Sequence, residues 1–130
     1  MSDSAIDRPG ILLGDVVLDT DDLARLAEFY SQLLGWPITV RNENWWTVQS
    51  EGGGTRLSFQ LATNYRPPTW PANEVPQQSH LDLDVSRADL PAAVAYAQSL
   101  GAVVVDDPAS HASFVVLLDP SGHPFCLCAC

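Results

Sequence analysis

The sequence predicts an α+β fold in which two tandem β-α-β-β-β modules form a cupped mixed sheet with helices on one face. Two observations carry this expectation. The first is an internal repeat. Asp15-Val-Val-Leu-Asp-Thr-Asp-Asp-Leu23 leads into an apolar-periodic run ending Leu33-Leu34-Gly35, and His80-Leu-Asp-Leu-Asp-Val85 leads into an Ala-rich run ending Ser99-Leu100-Gly101. His80 stands 65 residues after Asp15, and Gly101 stands 66 after Gly35. A repeat of half the chain length marks two copies of one supersecondary unit, each too small to bury a face alone. The second observation is that each helical run is followed by short strand-like runs separated by turn residues.

The elements follow in order. Residues 1–11 read as a loose tail, and residues 12–19 as a buried strand. Thr20-Asp21-Asp22 supplies a helix N-cap and an acidic first turn. Leu23, Leu26, Ala27, Tyr30, Leu33 and Leu34 fall on one face of a 3.6-period helix that Gly35 terminates. Strands are expected at 38–41, 45–49 and 56–61, with Glu51-Gly-Gly-Gly54 as a turn. Residues 64–78 form the linker between module 1 (12–63) and module 2 (79–130). Its four prolines, at 67, 68, 71 and 76, forbid both a helix and a central strand. In module 2 a strand at 80–85 precedes a helix at 89–100 with Leu90, Ala93, Val94, Ala97 and Leu100 as its stripe. Strands follow at 102–105, 113–118 and 124–129, the last two joined by the turn Asp119-Pro-Ser-Gly122.

Composition places all of this in one domain, 12–130. A chain of 14.1 kDa buries enough surface for a single core. The net charge is −10 with only 6 Lys plus Arg. Nucleic acid, which is held through clustered basic residues, is therefore not an expected partner, and neither is an anionic membrane. No apolar run approaches the roughly 20 residues of a membrane span, and the first residues lack the pattern of a secretory signal, so a cytoplasmic location is expected. Cys126, Cys128 and Cys130 share one strand face at about 6.6 Å spacing, near the limit for a disulfide. Three reduced, largely buried thiols are the expectation, since the spacing also lacks the knuckle of a structural zinc site.

At this point the chain resembles a known group. The duplicated β-α-β-β-β pattern, the helices ending Leu-Leu-Gly and Ser-Leu-Gly, and the closing Leu118-Asp-Pro-Ser-Gly-His-Pro-Phe-Cys-Leu127 are similar to the vicinal-oxygen-chelate superfamily. That superfamily contains glyoxalase I, extradiol dioxygenases, and fosfomycin- and bleomycin-resistance proteins. The linker Tyr65-Arg-Pro-Pro-Thr-Trp-Pro71 resembles its small single-domain glyoxalase-like branch. The resemblance implies a homodimer and, in the enzymes, a metal held by the first and last strands of each module. Carried over by position, those ligands are Asp15, Gln60, His80 and Cys126. One imidazole, one carboxylate, one amide and one thiol suit no common catalytic metal, so the expectation is a site without metal or other cofactor.

The expected function is then binding of a small organic molecule in the cup. Asp15, Trp46, Gln60, Tyr65, Trp70, His80 and Cys126 are the candidate ligand-binding residues. Strand alternation turns Leu57, Phe59 and Leu61 toward the helices and Ser58 and Gln60 into the cup, and does the same for His80, Asp82 and Cys126 in module 2. Trp45 and Trp46 are adjacent, so one is core and the other lines the cup. Tyr65 and Trp70 sit on the proline-stiffened linker, where they can lid it. His123 reads as a turn residue and His111 as a surface loop residue. The alternative function is a metal-dependent lyase, isomerase or dioxygenase using Asp15, Gln60, His80 and Cys126. Catalytic residues and the ligand's identity are not legible in the sequence.

Overall fold

In the computed structural model, which describes residues 8–106 and 113–129, local capping signals set the first helix. The Asp22 side chain accepts from the Arg25 amide at 3.1 Å, opening α1 (Leu23–Leu34), and Gly35 closes it in the left-handed region at φ 70°. Before it lies β1 (Asp15–Thr20), and after it come β2 (Ile38–Arg41), β3 (Trp45–Val48) and β4 (Arg56–Leu61). Module 2 repeats the order with β5 (Leu81–Asp84), α2 (Leu90–Ser99), β6 (Val103–Val104), β7 (Phe114–Leu118) and β8 (Pro124–Cys128). The first strand starts at Asp15 rather than at residue 12, because its partner β4 begins at Arg56, opposite Asp15. Without a partner strand, Ile11, Leu12 and Leu13 stay exposed. Cys130 and His111 lie outside the described residues.

The expected single sheet is two four-stranded sheets of equivalent order, β1-β4-β3-β2 and β5-β8-β7-β6. In each, the first strand runs parallel to the last and the rest are antiparallel. Val16 and Leu57 face Leu81 and Leu83 across an apolar gap of about 210 Å³, so the modules meet through side chains there. One continuous core joins them. Leu18, Val48, Leu57 and Phe59 of the first sheet pack with α1 and α2 and with Val115, Leu117, Phe125 and Leu127 of the second. Tyr30, fully buried, stacks on Phe59 at 5.8 Å and meets Phe125 edge-on at 6.2 Å.

The Tyr30 hydroxyl donates to the buried Asp119 carboxylate at 2.7 Å, tying α1 to the β7–β8 turn. Asp119 also accepts from the amides of Ser121 and His123 at 2.9 and 3.0 Å, which satisfies a carboxylate that burial pushes toward its protonated form. Burial first, and then Asp119, push the Tyr30 hydroxyl well above its usual 10.0. Folded Tyr30 thus keeps its proton where unfolded Tyr30 loses it, so its stabilisation is full below about pH 10 and lost as pH rises further. Thermal unfolding at pH 8 and pH 11 checks this. A large drop in Tm is expected for the native chain and a smaller one for Tyr30→Phe. Equal drops in the two proteins would refute the assignment.

Candidate functional site

Strand pairing decides which polar side chains share a place. On the face of the first sheet turned away from the core stand Asp15, Val17, Asp19, Trp45, Thr47, Arg56, Ser58 and Gln60. Their opposite numbers Leu18, Val48, Leu57 and Phe59 are core residues, and strand side chains alternate. A connected network occupies this face. Trp45 Nε1 donates to Thr47 Oγ1 at 3.1 Å, Thr47 and Ser58 share a hydrogen bond of 2.8 Å, and Ser58 Oγ donates to the second Asp15 oxygen. The Arg56 Nε and Nη2 groups donate to Asp15 Oδ1 at 2.9 and 2.6 Å. Asp15 is held below the ordinary carboxylate range by Arg56 first and Ser58 next. Its charge is spent within the fold.

Gln60 does not join it. In the parallel pair, Asp15 lies opposite Arg56 and Gln60 lies opposite Asp19, four residues further along. That separation is about 13 Å at the rise of a strand. The quartet Asp15, Gln60, His80 and Cys126 is therefore not one ligand set, and a metal of the kind the resemblance implies does not fit these residues. Strand alternation places side chains on a face, but only register places them along it. Trp46 is also placed differently from expectation. It pairs with Phe59 and packs against the core, while its indole Nε1 donates to the Asn42 carbonyl at 3.1 Å and Arg41 lies 5.3 Å over its ring. Trp45 is the one on the outward face.

Module 2 gathers the remaining candidates. His80 immediately precedes β5 and Asp82 lies within it, directly opposite Cys126 in the parallel pair β5–β8. His80 Nε2 is 3.2 Å from Asp82 Oδ1, and one ligand atom each from His80, Asp82 and Cys126 lie within 4.8 Å of one another. The linker folds over this spot, and Trp70, Gln77, Phe114, Val116, Pro124, His80 and Cys126 line a pocket of about 200 Å³. The Gln77 Oε1 atom is buried with no hydrogen-bond partner among the described residues. Burial, followed by the neighbouring Asp82 carboxylate, pushes the Cys126 thiol up to about 11. Cys126 is the free cysteine among the described residues, whereas Cys128 is disulfide-bonded, against the expectation of three reduced thiols. That expectation rested on strand spacing, and β8 ends at Cys128.

Tyr65 serves the other side of the linker. Its hydroxyl donates to the Ser121 carbonyl at 2.7 Å, and its ring lies 5.6 Å from His123. His123 Nε2 is 2.6 Å from the Asp19 carbonyl, an acceptor, so this nitrogen carries the proton. The turn of module 2 is thereby pinned to β1 of module 1. Val17, Asp19, Tyr65, Arg66, Gln78 and His123 surround a cleft of about 350 Å³. Consecutive linker residues face opposite ways: Gln77 lines the pocket and Gln78 the cleft. Strand alternation turns Asp82 into the cup together with His80, whereas Gln77 is not legible in the sequence. Nothing in a proline-rich linker signals which glutamine is buried.

A family model for a glyoxalase-like domain matches residues 15–128, nearly the whole of both modules. The chain belongs to the glyoxalase-like domain family. Solved structures agree on the fold. This glyoxalase-like domain is similar to a glyoxalase/bleomycin resistance protein/dioxygenase family enzyme from Burkholderia phytofirmans PsJN, with a TM-score of 0.70, 18% identity, and 90% of this chain and 97% of that chain covered. A glyoxalase-related enzyme from Fulvimarina pelagi has a TM-score of 0.66 at 21% identity, covering 88% and 85%. A fosfomycin resistance protein from Listeria monocytogenes, in complex with Mn(II) and a dihydroxypropylphosphonic acid, has a TM-score of 0.68 at 12% identity, covering 94% and 91%. No curated protein sequence matches the chain. At these identities the likeness establishes the fold and leaves the chemistry to the residues. Among the described residues, no helix is long and apolar enough to cross a membrane.

Proposed function

We propose that this glyoxalase-like domain binds a small, partly apolar organic molecule in the pocket beneath Trp70. The observation that carries the reading is Gln77 Oε1, a buried acceptor with no partner among the described residues. Leaving such an atom unpaired costs about 1–3 kcal/mol. A pocket walled by Trp70, Phe114 and Val116 supplies apolar contact, and Gln77, His80 and Cys126 supply the few polar groups that orient a ligand. A volume of about 200 Å³ favours a ligand smaller than a drug. Its expected features are one aromatic or branched apolar group and one N–H or O–H donor aimed at Gln77. The rival, a metal-dependent lyase, isomerase or dioxygenase with one ligand from each of four strands, is not supported by the placement of Asp15 and Gln60.

The test is a screen of small amides, amines and alcohols by tryptophan fluorescence, followed by two variants. Hits are expected to quench fluorescence in the native chain but not in Trp70→Phe. Gln77→Leu is expected to weaken the same hits by roughly 5- to 150-fold, the equivalent of the unpaired-donor cost. It is also expected to raise the Tm of the free protein, because the orphaned acceptor is gone. Hits that bind Gln77→Leu as tightly as the native chain would end the proposal.

A further inference from the structure

We infer that the cleft between β1 and the linker recognises a planar, neutral lactam, a ring amide whose N–H and C=O lie side by side, through the backbone of Val17. The register of β1 sets this up. In a parallel pair a residue turns its N–H and C=O to the same side, and successive residues alternate. The Arg56 amide donates to the Gly14 carbonyl at 2.8 Å and the Ala62 amide to the Thr20 carbonyl at 2.9 Å, so the even-numbered residues of β1 spend their backbone on β4. Asp15, Val17 and Asp19 therefore turn theirs to the outer edge, with which no strand pairs among the described residues. His123 Nε2 donates to the Asp19 carbonyl at 2.6 Å, which agrees with that direction and closes the edge there. The N–H and C=O of Val17 remain as the open donor–acceptor pair beside the cleft.

The cleft selects the ligand. Its volume of about 350 Å³ lies within the roughly 300–1,000 Å³ of small-molecule sites, and Val17, Leu18 and Asp19 line it in succession. Leu18 turns its side chain into the core, so the cleft reaches β1 at its backbone. An open strand edge ordinarily invites another extended chain. Here Val75, Pro76 and Gln78 of the linker wall the edge and His123 closes its end, which leaves room for one amide and not for a strand. The Tyr65 ring, Pro68 and Pro76 offer flat apolar faces to a ring. Burial first, and then Asp119, Asp21 and Asp19, push the Tyr65 hydroxyl above its usual 10.0. The field in the cleft is thus negative even with Arg66 at its rim, which favours a neutral ligand over an anionic one. The cleft shares no side chain with the pocket under Trp70 on the other side of the linker, so the two proposals stand or fall separately.

Titration of the isotope-labelled chain with uracil and with α-pyridone, followed in amide proton–nitrogen correlation spectra, tests the site. Saturable binding is expected, with the Val17 amide proton moving downfield as it bonds the ring carbonyl. Full N-methylation of either ring removes the donor that the Val17 carbonyl accepts, and should weaken binding roughly tenfold or more. Val17→Pro should do the same, because it deletes the outward N–H while the β1–β4 ladder keeps the bonds made by the alternate residues. Proline is tolerated on such an edge. Far-ultraviolet circular dichroism shows whether this variant is folded, and the N-methylated rings decide the matter if it is not. Absence of saturable binding, equal affinity for the N-methylated rings, native affinity in folded Val17→Pro, or tighter binding of a blocked tripeptide than of either ring would each overturn the proposal. So would shifts confined to residues around Trp70, which would place the ring in the other pocket.

Discussion

Phe125→Ala is expected to lower the unfolding free energy by about 3–5 kcal/mol, the range for truncating a fully buried aromatic ring. Phe125 is 0% exposed and sits where the modules join. It belongs to β8 of module 2, yet its ring meets Phe29 at 5.9 Å and Tyr30 at 6.2 Å, both on α1 of module 1. Alanine leaves a cavity against two rings that are themselves fixed, Tyr30 by its bond to Asp119 and its stacking on Phe59. The surroundings therefore collapse only partly, and the cost falls near the upper end. Urea unfolding followed by tryptophan fluorescence measures it. Val103→Ala, at a side chain 57% exposed, is the comparison and should change stability by no more than about 0.5 kcal/mol. A Phe125→Ala loss below about 2 kcal/mol would mean that the modules do not depend on this contact.

Gly122→Ala is expected to cost about 2–4 kcal/mol and to disturb the pocket as well. Gly122 has φ 88°, which an L side chain adopts only under strain, and an added Cβ would lie 2.7 Å from Pro67 Cβ. Proline is a rigid neighbour, so the linker itself must shift. Two residues before Pro67, Tyr65 is fastened to Ser121 within the same turn, and three residues after it Trp70 covers the pocket. Movement at Gly122 therefore reaches Trp70. Gly35→Ala separates the two causes, because Gly35 has φ 70° but open space around its Cβ position. It should cost only about 1–2 kcal/mol, from backbone strain alone, and should leave ligand quenching intact. If Gly35→Ala and Gly122→Ala prove equally destabilising and equally competent in binding, the Pro67 contact has no consequence.

Much of the fold was legible because its signals are local. Asp22 and Gly35 are adjacent to the helix they cap, and the alternation of Leu57 and Phe59 with Ser58 needs no knowledge of the partner strand. The placement of Gln60 and His80 outside the core followed from the same alternation. What failed were the statements on module 1 that needed the register of a second strand. Adjacent Trp45 and Trp46 must point to opposite faces, but only pairing of Trp46 with Phe59 says which is core. Asp15 and Gln60 share a face, yet the register of β1 on β4 sets them at opposite ends of it.

The sequence by itself determined the duplication, the order of elements, the helix limits and the position of the linker, all of which arise from neighbours in the chain. Tertiary structure alone decided how that duplication is used. It divided the sheet in two, tied Asp15 to Arg56, buried one glutamine of an adjacent pair, and set Cys126 beside Asp82. The physical reason is that side-chain periodicity is a property of one strand, whereas register is fixed by the packing of both strands against the common core.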